Sequence, residues 1–250
     1  MHQSFIRSCL RSGLIPISTL PAEPITVCLM TDLARYIDHT LLKPDARAED
    51  IRKLCAEAKQ HKFFAVCVNG SWVELARHCL DGTDVKVASV VGFPLGTMET
   101  DVKRFETEAA VDAGAHEIDV VINIGRLKDG EDKVVLRELR DIVEAADERP
   151  VKVIIEACLL TDDEKISACK LVVEAGARFV KTSTGFSKAG ATIEDVKLLR
   201  REVGPDFGVK AAGGIRDAVT ALAMIEAGAT RLGTSNGVAI VQGASGAVAY

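Results

Sequence analysis

Short apolar runs alternate with longer stretches in which apolar and polar residues recur with the period of a helix. The runs are four to seven residues long, which is typical of buried strands, and the pattern begins near Tyr36. It predicts eight strands, at residues 36–42, 63–68, 85–91, 117–122, 151–157, 179–182, 207–211 and 230–233. It also predicts seven helices between them, at residues 48–61, 71–80, 100–113, 134–146, 163–175, 193–203 and 217–227.

This alternation predicts an α/β protein whose strands are parallel, because each helix crosses back to start the next strand. Eight such units in a chain of 250 residues favour one closed (β/α)8 TIM barrel. An internal repeat supports the count: "DAGAHEIDVV", "EAGARFVKTS" and "EAGATRLGTS" align through a glycine that we expect to end a helix in the left-handed conformation. The repeat places Asp119, Lys181 and Gly233 at one equivalent position, near the carboxyl ends of strands four, six and eight.

The two ends of the chain are expected to lie outside the barrel. We expect residues 31–243 to form the barrel, with a flexible tail at 244–250. Residues 1–30 are interpreted as an extension that is disordered, or that reflects a misassigned start with Met30 as the initiator. Arg7 and Arg11, with no acidic residue before Glu23, would also fit a transit peptide.

Composition limits the partners of the protein. A hydrophobic fraction of 48% with 27% charged residues describes an ordinary soluble globular protein. The net charge of −5 argues against nucleic-acid or anionic-membrane partners, and no apolar stretch is long enough to span a bilayer. The seven cysteines are scattered and contain no Cys-x-x-Cys pair, so neither a disulfide framework nor a zinc site is expected. A reducing cytoplasm fits best.

Two lysines end neighbouring strands where buried residues are expected. Lys181 closes strand six and Lys210 lies at similar depth in strand seven, so both would face one barrel mouth. Like charge and partial burial disfavour the ammonium form, and the pKa of at least one lysine should fall. A neutral amine is a nucleophile for carbonyl carbon, and Asp119 could transfer the protons. This combination indicates Schiff-base chemistry, whereas either lysine alone would more often be a solvated rim residue.

Glycine-rich turns follow strands six, seven and eight and indicate a phosphate site. "TSTG", "KAAGGIR" and "LGTSNG" would present backbone N–H groups and hydroxyls at the same face of the barrel. Arg216 would add positive charge if it points inward. The candidate phosphate-binding residues are Thr184, Gly185, Gly213, Gly214, Gly233, Thr234 and Ser235.

At these residues the chain resembles the 2-deoxyribose-5-phosphate aldolases. The resemblance runs over residues 36–243 and is carried by "YIDHTLLKP", "VCVNG", "GFPLG", "EIDVVIN", "KVIIE", "FVKTSTGF", "VKAAGGIR" and "LGTSNG". It implies a class I aldolase on a (β/α)8 barrel that needs neither metal nor organic cofactor. The implied substrates are a phosphorylated sugar, acetaldehyde and glyceraldehyde 3-phosphate, and a homodimer is compatible with it.

The resemblance also implies roles for single residues. Lys181 matches the Schiff-base lysine, Lys210 the second lysine that depresses its pKa, and Asp119 the group that transfers protons. Position alone does not say which lysine is the nucleophile. Asp38 and Thr40 match a polar pair that would orient Lys210 and a water, or form a structural hydrogen-bond network.

Three further positions are expected to support the site or to modify it. Cys67 could be attacked by aldehydes, although a buried packing thiol is the simpler interpretation. Tyr250 could fold back and present its phenol for proton transfer. Phe186 stands where some relatives of that family have a basic residue near the phosphate, and Lys188 could compensate.

Three alternative functions stay open on the sequence. The first is a metal-dependent class II aldolase, which the histidines do not favour because they have no ligand spacing. The second is another Schiff-base barrel, such as a transaldolase or a keto-acid aldolase. The third is a catalytically silent barrel that binds phosphate.

Overall fold

Each predicted apolar run forms a strand of one closed parallel barrel. The computed structural model describes residues 33–244 and 246. The strands pair in sequence order, and the first closes onto the last through pairs such as Asp38 with Gly233. The strands are β1 Ile37–Leu41, β2 Ala65–Val68, β3 Lys86–Val91, β4 Glu117–Val121, β5 Val151–Ile154, β6 Phe179–Lys181, β7 Gly208–Ala212 and β8 Arg231–Thr234. The prediction of a single-domain (β/α)8 barrel is confirmed.

The helices surround the barrel. Within the described residues they are α1 Ala48–His61, α2 Val73–Cys79, α3 Thr100–Asp112, α4 Ile124–Lys128, α5 Asp132–Ala145, α6 Asp162–Glu174, α7 Ile193–Val203, α8 Ala218–Glu226 and α9 Gly237–Val241. All seven predicted helices are present. The sequence did not predict α4 and α9, because five residues are too few to establish a helical period.

Most predicted ends differ from the observed ones by one or two residues, as such ends commonly do. The prediction for strand five is wrong at its carboxyl end. β5 stops at Ile154, Glu156 has the left-handed φ of 51°, and a 3-10 turn follows at Ala157–Leu159. The prediction ran too far because Ile155 and Ala157, on either side of Glu156, are apolar and buried although they lie outside the strand.

Local signals in the sequence explain where the helices start and stop. Thr161 begins α6 with a capping box in which it pairs with Glu164, and such a cap satisfies N–H groups that have no partner within the helix. Before β4, β6 and β8, the three repeat glycines have φ values of 97°, 82° and 117°, which residues with a side chain rarely adopt. The predicted left-handed helix stops are therefore confirmed.

The interior of the barrel is unusually polar, whereas the layer between strands and helices is apolar. Aliphatic side chains such as Ile51, Leu139 and Leu199 are buried between the two layers. Inside the barrel, a small apolar cluster is made of Leu42, Cys67, Ala88 and Val90. Buried charges occupy the remainder, so the barrel interior is where the chemistry has to be sought.

The predicted extension at residues 1–30 lies outside the described residues, and so does Tyr250. Within the described part of the tail, the Gly246 N–H donates to the carbonyl of Arg216 at 2.8 Å. None of the helices described here is both long and apolar enough to cross a membrane.

Candidate active site

Lys181 and Lys210 lie side by side at the same level of the barrel. They are paired in register between β6 and β7. Both ammonium groups donate to one oxygen of Asp119, which reaches in from β4: the distances to Oδ2 are 2.8 Å from Lys181 and 2.7 Å from Lys210. The structure therefore brings together the three residues that the sequence singled out for Schiff-base chemistry.

Lys181 is nearly buried and lines a cavity at the carboxyl ends of the strands. Its side chain is 3% exposed, and Asp119 is the carboxylate with which it pairs. Burial lowers the pKa of Lys181, and the charge of Lys210 lowers it further. Asp119 opposes the fall without cancelling it. The amine is thus more readily neutral than an ordinary lysine.

Lys210 differs from its neighbour because two carboxylates hold it. Besides Asp119, it donates to Asp38 Oδ2 at 2.5 Å, and its side chain is fully buried. Burial alone would lower the pKa of Lys210, but the two carboxylates outweigh burial and raise it above the ordinary value. Lys210 therefore stays a cation beside a lysine that loses its proton more easily.

Asp119 is surrounded by cations on both oxygens. Its Oδ1 accepts from Lys152 at 2.7 Å, while Oδ2 serves the other two lysines. Burial raises the pKa of Asp119, but Lys152, Lys181 and Lys210 together lower it well below its ordinary value. The group is a carboxylate at neutral pH.

Sequence reasoning missed the charged floor beneath these residues. Lys152 of β5 bridges Asp119 and Glu117, with 2.7 Å to Glu117 Oε2. Arg231 of β8 pairs with Glu117 and with Asp38 Oδ1, each at 2.9 Å, and its guanidinium stacks on Phe64. The signal was available, because Lys152 interrupts an apolar strand as Lys181 does and Glu117 shares a strand face with Asp119.

Asp38 and Thr40, the pair predicted to orient Lys210, make different contacts in the structure. Asp38 contacts Lys210 directly, and although burial raises its pKa, Lys210, Arg231 and Lys152 lower it to about 2. The Thr40 hydroxyl instead donates to the main-chain carbonyl of Asp38 at 2.9 Å, and Thr40 lines the cavity. Asp38 is thus part of the charged network, and Thr40 forms part of the wall.

The positions expected to modify the site have distinct surroundings. Cys67 is fully buried, and burial raises the pKa of its thiol, which disfavours the reactive thiolate. Phe186 contacts Phe93 edge-on, with ring centroids 5.2 Å apart. Lys188 is exposed and does not line the cavity.

A cavity at the carboxyl ends of the strands measures about 650 Å³ including its open mouth. Lys181, Thr40 and Arg216 line it together with all seven predicted phosphate-binding residues. Within the described residues, the N–H groups of Gly185, Gly214 and Ser235 have no protein acceptor. Unpaired N–H groups next to an arginine form an environment for an anion.

Thr184 departs from this arrangement. It lines the cavity, but its N–H and its hydroxyl both donate to the carboxylate of Glu156. Thr184 therefore contributes shape to the loop, while its donors face away from an anion.

Among residues 33–244 and 246, no group of three or more His, Cys, Asp and Glu side chains is arranged to hold a metal ion. The groups gathered in the barrel are thus one lysine with a lowered pKa, a second lysine that stays charged, a carboxylate and an anion site. Such a set can attack a carbonyl carbon, move protons and hold a phosphate.

Comparison with known proteins gives one consistent family. The model of the DeoC/LacD family of aldolases matches residues 33–243. A deoxyribose-phosphate aldolase of Alkaliphilus oremlandii is 60% identical over 211 residues, which are 84% of this chain and 95% of that protein. One from Thermococcus gammatolerans is 60% identical over 220 residues, 86% of this chain and 98% of that protein.

A solved structure resembles the fold as well. Deoxyribose phosphate aldolase from Aeropyrum pernix, described as a unique tetrameric structure, is 34% identical and superposes with a TM-score of 0.80. The match covers 89% of this chain and 97% of that one.

Proposed function

Since the chain belongs to the DeoC/LacD family of aldolases, we propose that it is a class I, metal-independent deoxyribose-phosphate aldolase. It reversibly cleaves 2-deoxy-D-ribose 5-phosphate into D-glyceraldehyde 3-phosphate and acetaldehyde. Relatives of that name at 60% identity over most of the chain support the activity. The lysine pair supports the reaction class.

The observation that carries the proposal is the environment of Lys181. A nucleophilic lysine has to be neutral, reach the substrate and stand next to a proton carrier. Burial lowers the pKa of Lys181, the side chain lines the cavity, and Asp119 lies 2.8 Å from its amine. Lys210 is neither neutral nor able to reach the substrate, because its raised pKa keeps it charged and its side chain is fully enclosed.

The first half of the reaction forms the Schiff base. The amine of Lys181 attacks C1 of the open-chain sugar phosphate and gives a carbinolamine. Loss of water then produces an iminium ion, for which Asp119 carries protons directly or through a water molecule. The carboxylate is suited to this task, because the lysines around it keep it ionised.

The second half breaks the bond between C2 and C3. The C3 hydroxyl gives up its proton, the electron pair of the bond moves into the iminium group, and glyceraldehyde 3-phosphate leaves. The remaining enamine is protonated at C2, and water releases acetaldehyde and free Lys181. The lysine itself is the electron sink, so no cofactor is required.

The phosphate end of the substrate binds at the glycine-rich turns. Unpaired N–H groups of Gly185, Gly214 and Ser235 support this assignment, as does Arg216 at the cavity. Gly213, Gly233 and Thr234 complete the walls of the site. Binding energy at this end orients C1 toward Lys181.

The proposal extends to the tail of the chain, to the compartment and to assembly. Tyr250 would exchange protons with the enamine. The hydrogen bond from Gly246 to Arg216, a residue that lines the cavity, supports this role. Free thiols at Cys55, Cys67, Cys79, Cys158 and Cys169 fit a reducing cytoplasm, where the enzyme would degrade deoxyribose phosphate. We also propose that the barrel forms a homodimer.

Borohydride trapping tests the function. The protein is mixed with acetaldehyde and sodium borohydride, digested, and analysed by peptide mass spectrometry, with Lys181→Ala as the control. The expected result is a two-carbon adduct on Lys181 that is absent from the control. In a second assay, cleavage of deoxyribose 5-phosphate is measured through the amount of glyceraldehyde 3-phosphate formed.

Other outcomes would point to other functions. An adduct on Lys210 would reverse the roles of the two lysines. An adduct with a ketone donor and none with acetaldehyde would favour another Schiff-base aldolase. A folded protein that binds phosphate and gives no adduct would be a silent barrel.

A further inference from the structure

Glu156 is a buried carboxylate at the barrel mouth that the reaction above does not use. It follows β5 with φ 51° and ψ 63°, the left-handed region that residues with a side chain seldom occupy. Its side chain is buried, with the residue 2% exposed. A costly backbone conformation that buries a charge requires contacts that hold it in place.

Those contacts go to the loop between β6 and α7. The Thr184 N–H donates to both carboxylate oxygens of Glu156, at 3.3 Å each, and the Thr184 hydroxyl donates to Oε2. A second link runs through Cys158, whose Sγ lies 3.9 Å from Glu156 Oε1 and 3.5 Å from Ser187 Oγ. Glu156 therefore joins the β5–α6 connection to the next loop of the mouth.

The bonds to Thr184 define the shape of a turn. With its proton directed to Glu156, Thr184 Oγ1 accepts the N–H of Phe186 at 3.0 Å. Gly185 stands between them at φ 85° and lines the cavity. Its N–H has no protein acceptor within the described part of the chain. The turn thus leaves one backbone donor available for an anion.

The negative charge of Glu156 does not itself favour phosphate binding. A carboxylate repels phosphate, and burial raises the pKa of Glu156, although the bonds from Thr184 and the charge of Lys181 oppose the rise. The benefit has to be geometric and strong enough to outweigh an unfavourable charge.

We propose that Glu156 is a positioning residue for the phosphate end of the substrate, acting through Thr184 to fix the turn at residues 183–186. The inference rests on the proposed function, because that function supplies the phosphate. Glu156 does not line the cavity, so it acts on the phosphate only through the turn. Its loss should therefore impair binding of phosphorylated sugar and leave the bond-breaking steps largely intact.

The test compares two sugars that differ in the phosphate alone. The values of kcat and KM are measured for Glu156→Gln and Thr184→Val with deoxyribose 5-phosphate and with unphosphorylated deoxyribose. We expect KM for the phosphorylated sugar to rise about tenfold in each variant, the scale of one hydrogen bond to a charged group. We expect kcat for the phosphorylated sugar and kcat/KM for deoxyribose to stay within about twofold of their normal values. The variants lose only binding energy that the substrate and the transition state share.

Three comparisons sharpen the result. Thr184→Ser keeps both donors and should restore the normal KM. The double variant should be no worse than either single one, since the two residues act as one unit. Glu148→Gln is the matched control, because Glu148 is an exposed glutamate with a similar φ of 65° that stands before β5 instead of after it. Its kinetics should equal those of the unaltered protein.

Equal losses with both sugars, a fall in kcat at constant KM, or additive effects in the double variant would each overturn the positioning role. If Glu156→Gln does not fold, the Thr184 variants are held to the same pattern of KM and kcat. An unaltered protein that does not cleave deoxyribose 5-phosphate would refute the proposed function, an outcome that is distinct from all of these.

Discussion

Lys181 and Lys210 are the same residue type at the same level of adjacent strands, yet their surroundings give them opposite properties. Lys181 has one carboxylate partner and borders the cavity, and burial lowers its pKa. Lys210 is enclosed between Asp38 and Asp119, and its pKa is raised. The number of acidic partners and the access to the cavity, and not the position on the strand, separate the nucleophile from its helper.

The largest expected effect comes from removing the amine that borders the cavity. In Lys181→Met, kcat/KM for deoxyribose 5-phosphate should fall by about 10⁴-fold or more, the scale seen when a covalent nucleophile is lost. Formation of glyceraldehyde 3-phosphate measures the rate. Lys170→Met, at an exposed lysine of α6, is the control and should behave normally. A variant that keeps more than a small fraction of the activity would show that the two lysines are exchangeable.

Removing the carboxylate that both lysines share should have the next largest effect. In Asp119→Asn, kcat/KM should fall by about 10²- to 10⁴-fold, because proton transfer loses its carrier. Three lysines also lose their common acceptor, which should lower the free energy of unfolding by about 3–5 kcal/mol. Denaturant unfolding and steady-state kinetics measure the two effects. A loss of stability with normal turnover would restrict Asp119 to a structural role.

Removing the charged helper should shift the pH dependence. Lys210 lowers the pKa of Lys181, so in Lys210→Met that pKa should rise, and a higher pH is needed to make the amine neutral. The acidic limb of kcat/KM should therefore move to higher pH, with a loss of about tenfold at neutral pH for a rise of one unit. Borohydride should still trap acetaldehyde on Lys181. A limb that stays in place or moves to lower pH would contradict the comparison.

The smallest expected effect comes from crowding the helper without removing it. A Cβ at Gly233 would lie 3.1 Å from Lys210 Cε and 3.0 Å from Ala212 Cβ, so Gly233→Ala should displace Lys210 slightly. We expect kcat/KM to fall about fivefold. The fall is smaller than the loss of about 10²-fold that follows when a catalytic group is misplaced by about 1 Å. Gly125→Ala is the control, since a Cβ there would be in ordinary van der Waals contact with Asn123 Oδ1, at 3.7 Å. Equal rates for both variants would show that the Lys210 position tolerates displacement.

The fold could be predicted from the sequence because its signals are local and repeated. Apolar runs, helix caps and the glycine before each even-numbered strand from β4 onward depend on neighbouring residues only. The failures occur where local signals are short or ambiguous. Helices α4 and α9 have too few residues for a period, and beyond β5 the buried Ile155 and Ala157 continue the apolar run on either side of Glu156.

The site was predictable in part for a different reason. Two lysines at strand ends are conspicuous, but the role of a charged residue depends on partners from distant strands. Lys152 was overlooked because it stands mid-strand, and only the structure brings it to Asp119 and Glu117. Thr184 was predicted to bind phosphate from its loop, and Glu156, which takes both of its donors, lies 28 residues away in the chain.

The charged network around Asp119 is divided between the two halves of the chain. The acids Asp38, Glu117 and Asp119 belong to β1 and β4, whereas the bases belong to β5 through β8. During synthesis all three acids leave the ribosome before any of their partners. The last base, Arg231, is 193 residues beyond Asp38. Neither half of the chain can neutralise the charges that it contributes to this network, so the network around Lys181 is complete only after the final strand has closed the ring.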